Sequence, residues 1–74
     1  MNREPNPTME LLLSNREREV LDLIAHGHKD REIALALDIE ECTVRFHVKN
    51  LLTKLVAKTR AAAVYRAVKN GWIN

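Results

Sequence analysis

Two basic residues and one aromatic residue in a short stretch are the side chains with the clearest potential for chemistry. Arg45 and Lys49 are four residues apart, so on a helix they lie one turn apart on the same side, with Phe46 beside them. A guanidinium can pair with O6 and N7 of guanine, and an apolar ring can pack on a thymine methyl group. This spacing favours contact with base edges in DNA. The alternative is a solvated helix face that carries one surface aromatic.

The histidines and the single cysteine do not form a pattern typical of a metal or catalytic site. Cys42 and His47 are five residues apart, and on a helix they point about 140° away from each other. No C-x-x-C or H-E-x-x-H spacing occurs, and no nucleophile, base and orienting group fall into a recognisable set. We therefore expect no metal, no cofactor and no enzymatic activity. Cys42 is expected to be a small, partly buried thiol, with a redox-sensitive thiolate as the alternative.

The charge is distributed very unevenly along the chain. Residues 1–41 hold five basic and ten acidic residues, whereas residues 42–74 hold seven basic residues and no acidic one. A net charge of +2 thus conceals −5 in one part and +7 in the other. The basic part is expected to attract a polyanion by counterion release, unless its lysines and arginines only solubilise helix surfaces.

Length and composition indicate one small soluble domain. The chain has 74 residues, of which 46% are hydrophobic and 30% charged, and its apolar runs are far shorter than the roughly 20 residues that span a bilayer. One cysteine allows no intrachain disulfide, which favours a reducing, cytoplasmic setting. We expect a flexible arm over residues 1–12, followed by one domain over residues 13–74.

Helical periodicity and capping residues predict an all-α, four-helix, bundle-like domain with a central helix-turn-helix. Ser14 and Glu17 have the spacing of a capping box, while Asp30 and Thr59 are the expected N-caps of the second and fourth helices. No stretch alternates as a strand would. The predicted helices span residues 15–26, 30–37, 41–56 and 60–70.

The third predicted helix has the clearest division between two sides. Its apolar stripe consists of Val44, Val48, Leu51, Leu52 and Leu55. The opposite side presents Arg45, Phe46, Lys49, Asn50 and Thr53. Asn50 and Lys54 extend this side and are expected to contact phosphate or solvent. Arg31, at the start of the second helix, either reaches a phosphate or pairs locally with an acidic side chain.

Four segments of the sequence, in order, resemble the DNA-binding domain of the LuxR family, also called GerE-like or FixJ-like. They are LSNREREVLDLIAHG, REIALAL, TVRFHVKNLLTKL and KTRAAAV, and the resemblance as a whole runs from about Leu13 to Val68. The recognition helix of that family carries Thr-Val-Lys/Arg-x-His, which matches Thr43 to His47. The resemblance implies that Arg45, Phe46 and Lys49 enter the major groove and that Thr43 contacts a phosphate.

The sequence departs from the family pattern at four positions. Lys29 and Glu40 stand where the family favours a capping Ser or Thr, and Glu is a poor N-cap. Asp38 and Val56 stand where Gly is common. Because a β-branched residue resists positive φ, the loop after the third helix is expected to differ at Val56.

The fourth predicted helix carries an apolar face that packs inward, against a second copy of the chain, or both. This face consists of Ala61, Val64, Tyr65 and Val68. The family resemblance implies dimerisation through this helix. A two-fold dimer would place two recognition helices about 34 Å apart over an inverted repeat.

These patterns predict a sequence-specific regulator of transcription that binds double-stranded DNA as a homodimer, with the third helix in the major groove. RNA polymerase is a candidate further partner, and no membrane or small-molecule ligand is expected. The alternative is a helix-turn-helix module that binds another regulator or a polymerase subunit, with Phe46 as its anchor.

Overall fold

A computed structural model describes residues 12–73, and four α-helices lie wholly within that range. They are α1 (Asn15–Ala25), α2 (Asp30–Leu37), α3 (Glu41–Lys54) and α4 (Arg60–Lys69). The predicted helices are confirmed, with ends that differ by at most two residues. Except for Leu12, the predicted arm of residues 1–12 lies outside the described residues.

Helix α3 packs against each of the other three helices, as α1 also does. The predicted apolar stripe provides this packing: Val44, Val48, Leu51 and Leu55 are buried, and Leu52 is half-buried against them. Opposite α3, the core is completed by residues from the other elements, namely Leu13, Val20, Leu21, Ile33, Ala34, Ala63 and Ala67. The buried side of α3 therefore fixes which of its side chains face outward.

Helix α4 packs on α1 and α3 through two alanines. Ala63 and Ala67 are fully buried and lie one turn apart, and their small side chains let the helices approach closely. The predicted face of α4 lies elsewhere: Val64 is half-buried against the core, whereas Ala61, Tyr65 and Val68 are exposed. Inward packing of those three residues, one of two alternatives from the sequence, is wrong.

The predicted caps of α1 and α4 are confirmed. The Glu17 N–H donates to Ser14 Oγ at 3.1 Å, and the Ser14 N–H donates to Glu17 Oε1 at 3.0 Å. At α4, Thr59 Oγ1 accepts from the Ala62 N–H at 3.0 Å. These bonds occupy N–H groups that the first turn of a helix leaves without a partner.

The predicted cap of α2 is wrong. Lys29, not Asp30, is the N-cap, and its ammonium cannot accept a hydrogen bond. Its backbone N–H donates to Glu32 Oε1 at 2.9 Å. Asp30 is the first residue of the helix, and its carboxylate is occupied by Arg60. At α3 the N-cap is Glu40, which makes no capping bond through its side chain, as the sequence indicated.

Two turns contain a non-glycine residue in the left-handed conformation. Asp38 ends α2 with φ 56°, and Val56 follows α3 with φ 53°. The expectation that Val56 would avoid positive φ is wrong. The Ala57 N–H donates to the Leu52 carbonyl at 2.9 Å, a closing bond that requires the left-handed residue before it.

None of the helices within residues 12–73 combines the length and the apolar character needed to cross a membrane.

Candidate nucleic-acid interface

Three side chains project from the outward side of α3, and we call them the reading surface: Arg45, Phe46 and Lys49. Phe46 is 61% exposed, although Val44 and Val48, two residues away on either side, are buried. The ring of Phe46 meets His47 edge to face, with centroids 5.9 Å apart. Exposure of a large aromatic ring between two cations leaves it available for an apolar contact with a ligand.

Neither cation of the reading surface is strongly engaged. Arg45 Nη1 lies 4.0 Å from Glu41 Oε2, and both side chains are exposed. A surface pair of this kind contributes about 0–1 kcal/mol and is easily exchanged. Among residues 12–73, no hydrogen bond or ion pair engages the Lys49 ammonium. Both groups can therefore meet an anionic or polar partner at little cost.

The other residues predicted to contact phosphate differ in their exposure. Thr43 and Asn50 are half-buried on α3, and Arg31 is exposed near the start of α2. Within the described part of the chain no ion pair involves Arg31, so the local pairing considered from the sequence is not observed. The phosphate contacts of these three residues stay predictions.

Lys54 is bound to a buried carboxylate, which the sequence did not indicate. Its Nζ donates to Glu17 Oε1 at 2.8 Å, and Glu17 is only 4% exposed. Burial raises the pKa of Glu17, but the hydrogen bonds from Lys54 and the Ser14 N–H, with the charge of Lys54, outweigh it and lower the pKa below 4.5. The predicted phosphate contact of Lys54 therefore competes with an existing internal ion pair.

A second ion pair joins the starts of α2 and α4. Arg60 Nη2 donates to Asp30 Oδ2 at 3.0 Å, and Arg60 Nη1 also bonds to Asp30 Oδ1. The hydrogen bonds from Arg60 lower the pKa of Asp30, outweighing burial, and the positive charges of Arg60 and Arg45 lower it further. Asp30 thus lies within electrostatic reach of the reading surface. Thirty residues separate the two partners, and no local pattern marks them.

The cysteine and the histidines are spread over the surface. Cys42 is exposed, so the expectation of a partly buried thiol is wrong. His26 Nδ1 lies 3.8 Å from Asp22 Oδ1, and His28 Nδ1 lies 3.5 Å from Glu32 Oε1, each within its own stretch of chain. In the region from residue 12 to residue 73, no group of three His, Cys, Asp or Glu side chains is arranged to hold a metal ion.

Comparison with known proteins relates the four-helix unit to one protein family. Residues 11–67 match the family described as bacterial regulatory proteins, luxR family. The transcriptional regulatory protein DegU of Brevibacillus brevis is 45% identical over 62 residues, which are 84% of this chain and 26% of that protein. DesR of Bacillus subtilis, also a transcriptional regulatory protein, is 42% identical over 69 residues, or 93% and 32% of the two chains.

A solved structure of the transcription factor GerE has the same arrangement of helices. It superimposes with a TM-score of 0.80 at 33% identity, covering 85% of this chain and 94% of that one. The relatives found by sequence are longer: this chain spans 26% of DegU and 32% of DesR. The similarity is therefore to one domain of those two proteins.

Proposed function

The chain belongs to the luxR family of bacterial regulatory proteins and is a helix-turn-helix DNA-binding domain of a transcription regulator; from this premise we propose that α3 enters the major groove and selects its site there. The observation that carries the proposal is the two-sided character of α3. One side is locked into the core by buried apolar residues, and the other exposes the reading surface. A helix held in this way can be inserted into a groove as a rigid unit. The family assignment also confirms that the chain is not an enzyme.

Each residue of the reading surface has a task suited to its chemistry. Arg45 pairs with guanine O6 and N7, Lys49 reaches a guanine one turn further along, and Phe46 packs on a thymine methyl group. Thr43, Arg31 and Asn50 contact phosphates and fix the orientation of α3. Lys54 contributes only if a phosphate displaces Glu17 from its ammonium.

We propose that the regulator acts as a homodimer through the exposed face of α4. Tyr65 is 64% exposed, and Val68 and Ala61 are exposed beside it. Covering these side chains removes apolar area from water, which favours association. A two-fold arrangement presents two α3 helices to an inverted repeat, about one turn of B-DNA apart. By analogy with its relatives, the regulator controls transcription, with RNA polymerase as a candidate contact.

A protein-interaction module anchored by Phe46 is the second candidate function. The exposed ring supports it. Two observations favour DNA instead: Arg45 and Lys49 flank the ring without a strong partner, and residues 42–74 contain no carboxylate side chain. A surface of this composition suits phosphates better than a mixed protein surface.

The salt dependence of DNA binding tests the proposed function. We expect the domain to bind mixed genomic duplex fragments at low salt. The slope of log K against log salt, where K is the association constant, should be about −0.9 for each phosphate neutralised.

A substitution in the reading surface tests base recognition. On a site selected from a random duplex pool, Arg45→Ala should cost about 1–3 kcal/mol of binding free energy and relax base choice. Arg66→Ala, an exposed arginine of α4, is the control. If no fragment is retained at low salt while Phe46→Ala abolishes capture of a protein partner, the interaction module is the better assignment.

A further inference from the structure

Glu41 lies on the same side of α3 as the two cations of the reading surface. Glu41, Arg45 and Lys49 follow one another at intervals of four residues, so each lies about one turn beyond the last. Glu41 Oε2 is 4.0 Å from Arg45 Nη1, and 49% of the Glu41 side chain is exposed. The sequence contains no acidic residue after Glu41. The helix that is proposed to enter the major groove therefore carries a single carboxylate beside its cations.

The Glu41 carboxylate loses its partner when Arg45 pairs with a guanine. A surface ion pair of this kind is weak and easily given up. Asp30 also lies within electrostatic reach of Arg45, but its carboxylate is bound to Arg60. Among residues 12–73, no cation other than Arg45 forms an ion pair with Glu41. A free carboxylate in a groove edged by phosphates is unfavourable unless a hydrogen-bond donor satisfies it.

The base edges of the major groove offer two such donors, N4 of cytosine and N6 of adenine. Adenine places the acceptor N7 beside its donor, and N7 repels a group that can only accept. A carboxylate has acceptors and no donor. Cytosine therefore suits the Glu41 side chain better than adenine does.

We propose that Glu41 is a fourth base-reading residue, which accepts a hydrogen bond from N4 of a cytosine near the guanine that Arg45 contacts. The inference rests on the proposed function, since it requires α3 to lie in the major groove. Four residues correspond to about 6 Å along the helix axis, and successive bases of one strand are about 3.4 Å apart. The cytosine therefore lies within about two base pairs of that guanine.

The test is selection of bound sequences from a random duplex pool by the wild-type domain, Glu41→Gln and Arg45→Ala. Sites selected by the wild-type domain should contain a cytosine within about two base pairs of the guanine that Arg45→Ala no longer selects. Glu41→Gln should keep that guanine and replace the cytosine by adenine, because an amide suits N6 and N7 of adenine. Changing the cytosine of the selected duplex to adenine should weaken binding of the wild-type domain about fivefold or more, but not binding of Glu41→Gln.

Glu40→Gln is the matched control, because it removes the same charge from the same end of α3. Glu40 is the exposed N-cap, with an extended backbone, and no ion pair joins it to the reading surface within the described part of the chain. Both substitutions weaken the favourable interaction of a carboxylate with the helix dipole. Glu40→Gln should nevertheless select the same cytosine as the wild-type domain. Circular dichroism of each variant reports whether it is folded.

The outcomes separate this inference from the proposed function. If Glu41→Gln selects the same sequence as the wild-type domain, Glu41 reads no base, while the proposed function stands. The inference also fails if Glu40→Gln changes the preference at the same position, since the lost charge is then the cause. If Glu41→Gln alters only the preference for the guanine read by Arg45, Glu41 orients Arg45 and does not contact the cytosine. If the wild-type domain binds no duplex at low salt, the proposed function fails, and this inference fails with it.

Discussion

Asp38 and Val56 share the left-handed backbone conformation, but the energetic cost of that conformation differs between the two residue types. Asp is one of the residues that tolerates this region, whereas a β-branched residue crowds its own backbone there. The side chain of Val56 is 78% exposed, so it gains little from packing in return. The strain at Val56 is sustained by the closing bond from the Ala57 N–H to the Leu52 carbonyl. The chain therefore carries a local cost at Val56 that the packing of its own side chain does not offset.

Replacing Val56 with glycine should stabilise the domain. The left-handed conformation costs a residue with a Cβ about 1–2 kcal/mol, and glycine avoids this cost. Glycine is also more flexible in the unfolded chain, which lowers the free energy of unfolding by about 0.5–1 kcal/mol. We expect Val56→Gly to raise the free energy of unfolding by about 0.5–1 kcal/mol, measured by urea denaturation.

Asp38→Gly is the matched control, because it makes the same replacement at a residue with a nearly equal φ. The smaller strain of Asp in this region predicts a change close to zero or slightly unfavourable. An equal gain at both positions would mean that β-branching is not the source of the cost. A loss at Val56 would mean that its side chain packs better than its exposure indicates.

The sequence predicted which side chains face outward, but not which of them already have an ion-pair partner within the chain. The stripe from Val44 to Leu55 placed Arg45, Phe46 and Lys49 on the opposite side, because helical periodicity is a local property. Lys54 lies on the edge of that side, and its partner Glu17 is 37 residues away. Pairing over such a distance depends on how α1 packs on α3, which no local pattern contains.

Between elements, the Glu17–Lys54 ion pair connects the start of α1 to the end of α3. Oε1 of Glu17 accepts both the Ser14 N–H and the Lys54 ammonium, so one carboxylate caps α1 and holds α3. The carboxylate is nearly inaccessible, whereas the Lys54 side chain is 40% exposed. Solvent therefore screens part of the attraction, and the contribution is smaller than that of a fully buried pair.

Replacing Glu17 with glutamine should remove a pH-dependent part of the stability. The folded pKa of Glu17 is below its ordinary 4.5, so the charged form stabilises the fold above that pH. This contribution is lost as pH falls through the folded pKa. We expect Glu17→Gln to lower the free energy of unfolding by about 1–2 kcal/mol at neutral pH, with the difference from wild type vanishing in acid.

Denaturant unfolding of the wild-type and variant domains over a pH series provides the measurement. Glutamine preserves the capping geometry at this position, so the comparison isolates the charge. Glu19→Gln is the control, since Glu19 is exposed and pairs with Arg16 on the same helix at 3.1 Å. It should change stability by no more than about 0.5 kcal/mol. If the free energies of unfolding of wild type and Glu17→Gln differ by the same amount at every pH, the charge of Glu17 is not the source of the difference.

Element boundaries were predictable from the sequence because the cap and stop signals are local, but one cap was assigned to the wrong residue. Asp30 has the better capping side chain, but in the folded chain its carboxylate is bound to Arg60, and the Lys29 N–H donates to Glu32 Oε1. The face of α4 was ambiguous for the same kind of reason. Ala63 and Ala67 have smaller side chains than Tyr65 and Val68, and that small size is what close packing on α1 and α3 requires.

Over the whole molecule, two exposed surfaces suit two different partners. The reading surface on α3 is cationic around one aromatic ring and suits DNA, while Tyr65 and Val68 on α4 form an apolar face that suits a second copy. The acidic residues all lie in residues 1–41, away in sequence from both helices except for Glu41 at the start of α3.

Dimerisation through α4 predicts a particular symmetry in the DNA site. Sequences selected by the wild-type domain from a random duplex pool should contain two half-sites in inverted orientation, with centres about 10 base pairs apart or a multiple of that. Val68→Glu places a charge in the apolar face, and because Val68 is exposed the fold should be unaffected. On the selected duplex we expect this variant to lose the complex with two copies and to bind a single half-site with unchanged base preference.

Leu35→Glu is the matched control for that variant, because Leu35 is an equally apolar residue, 76% exposed, on α2 rather than α4. It should retain the two-copy complex, as measured by sedimentation of protein with labelled duplex. If Leu35→Glu loses the complex and Val68→Glu retains it, the copies meet through α2, and the spacing of half-sites must follow from that contact instead. If the selected sequences contain single half-sites, the domain binds alone, and the exposed face of α4 serves another partner.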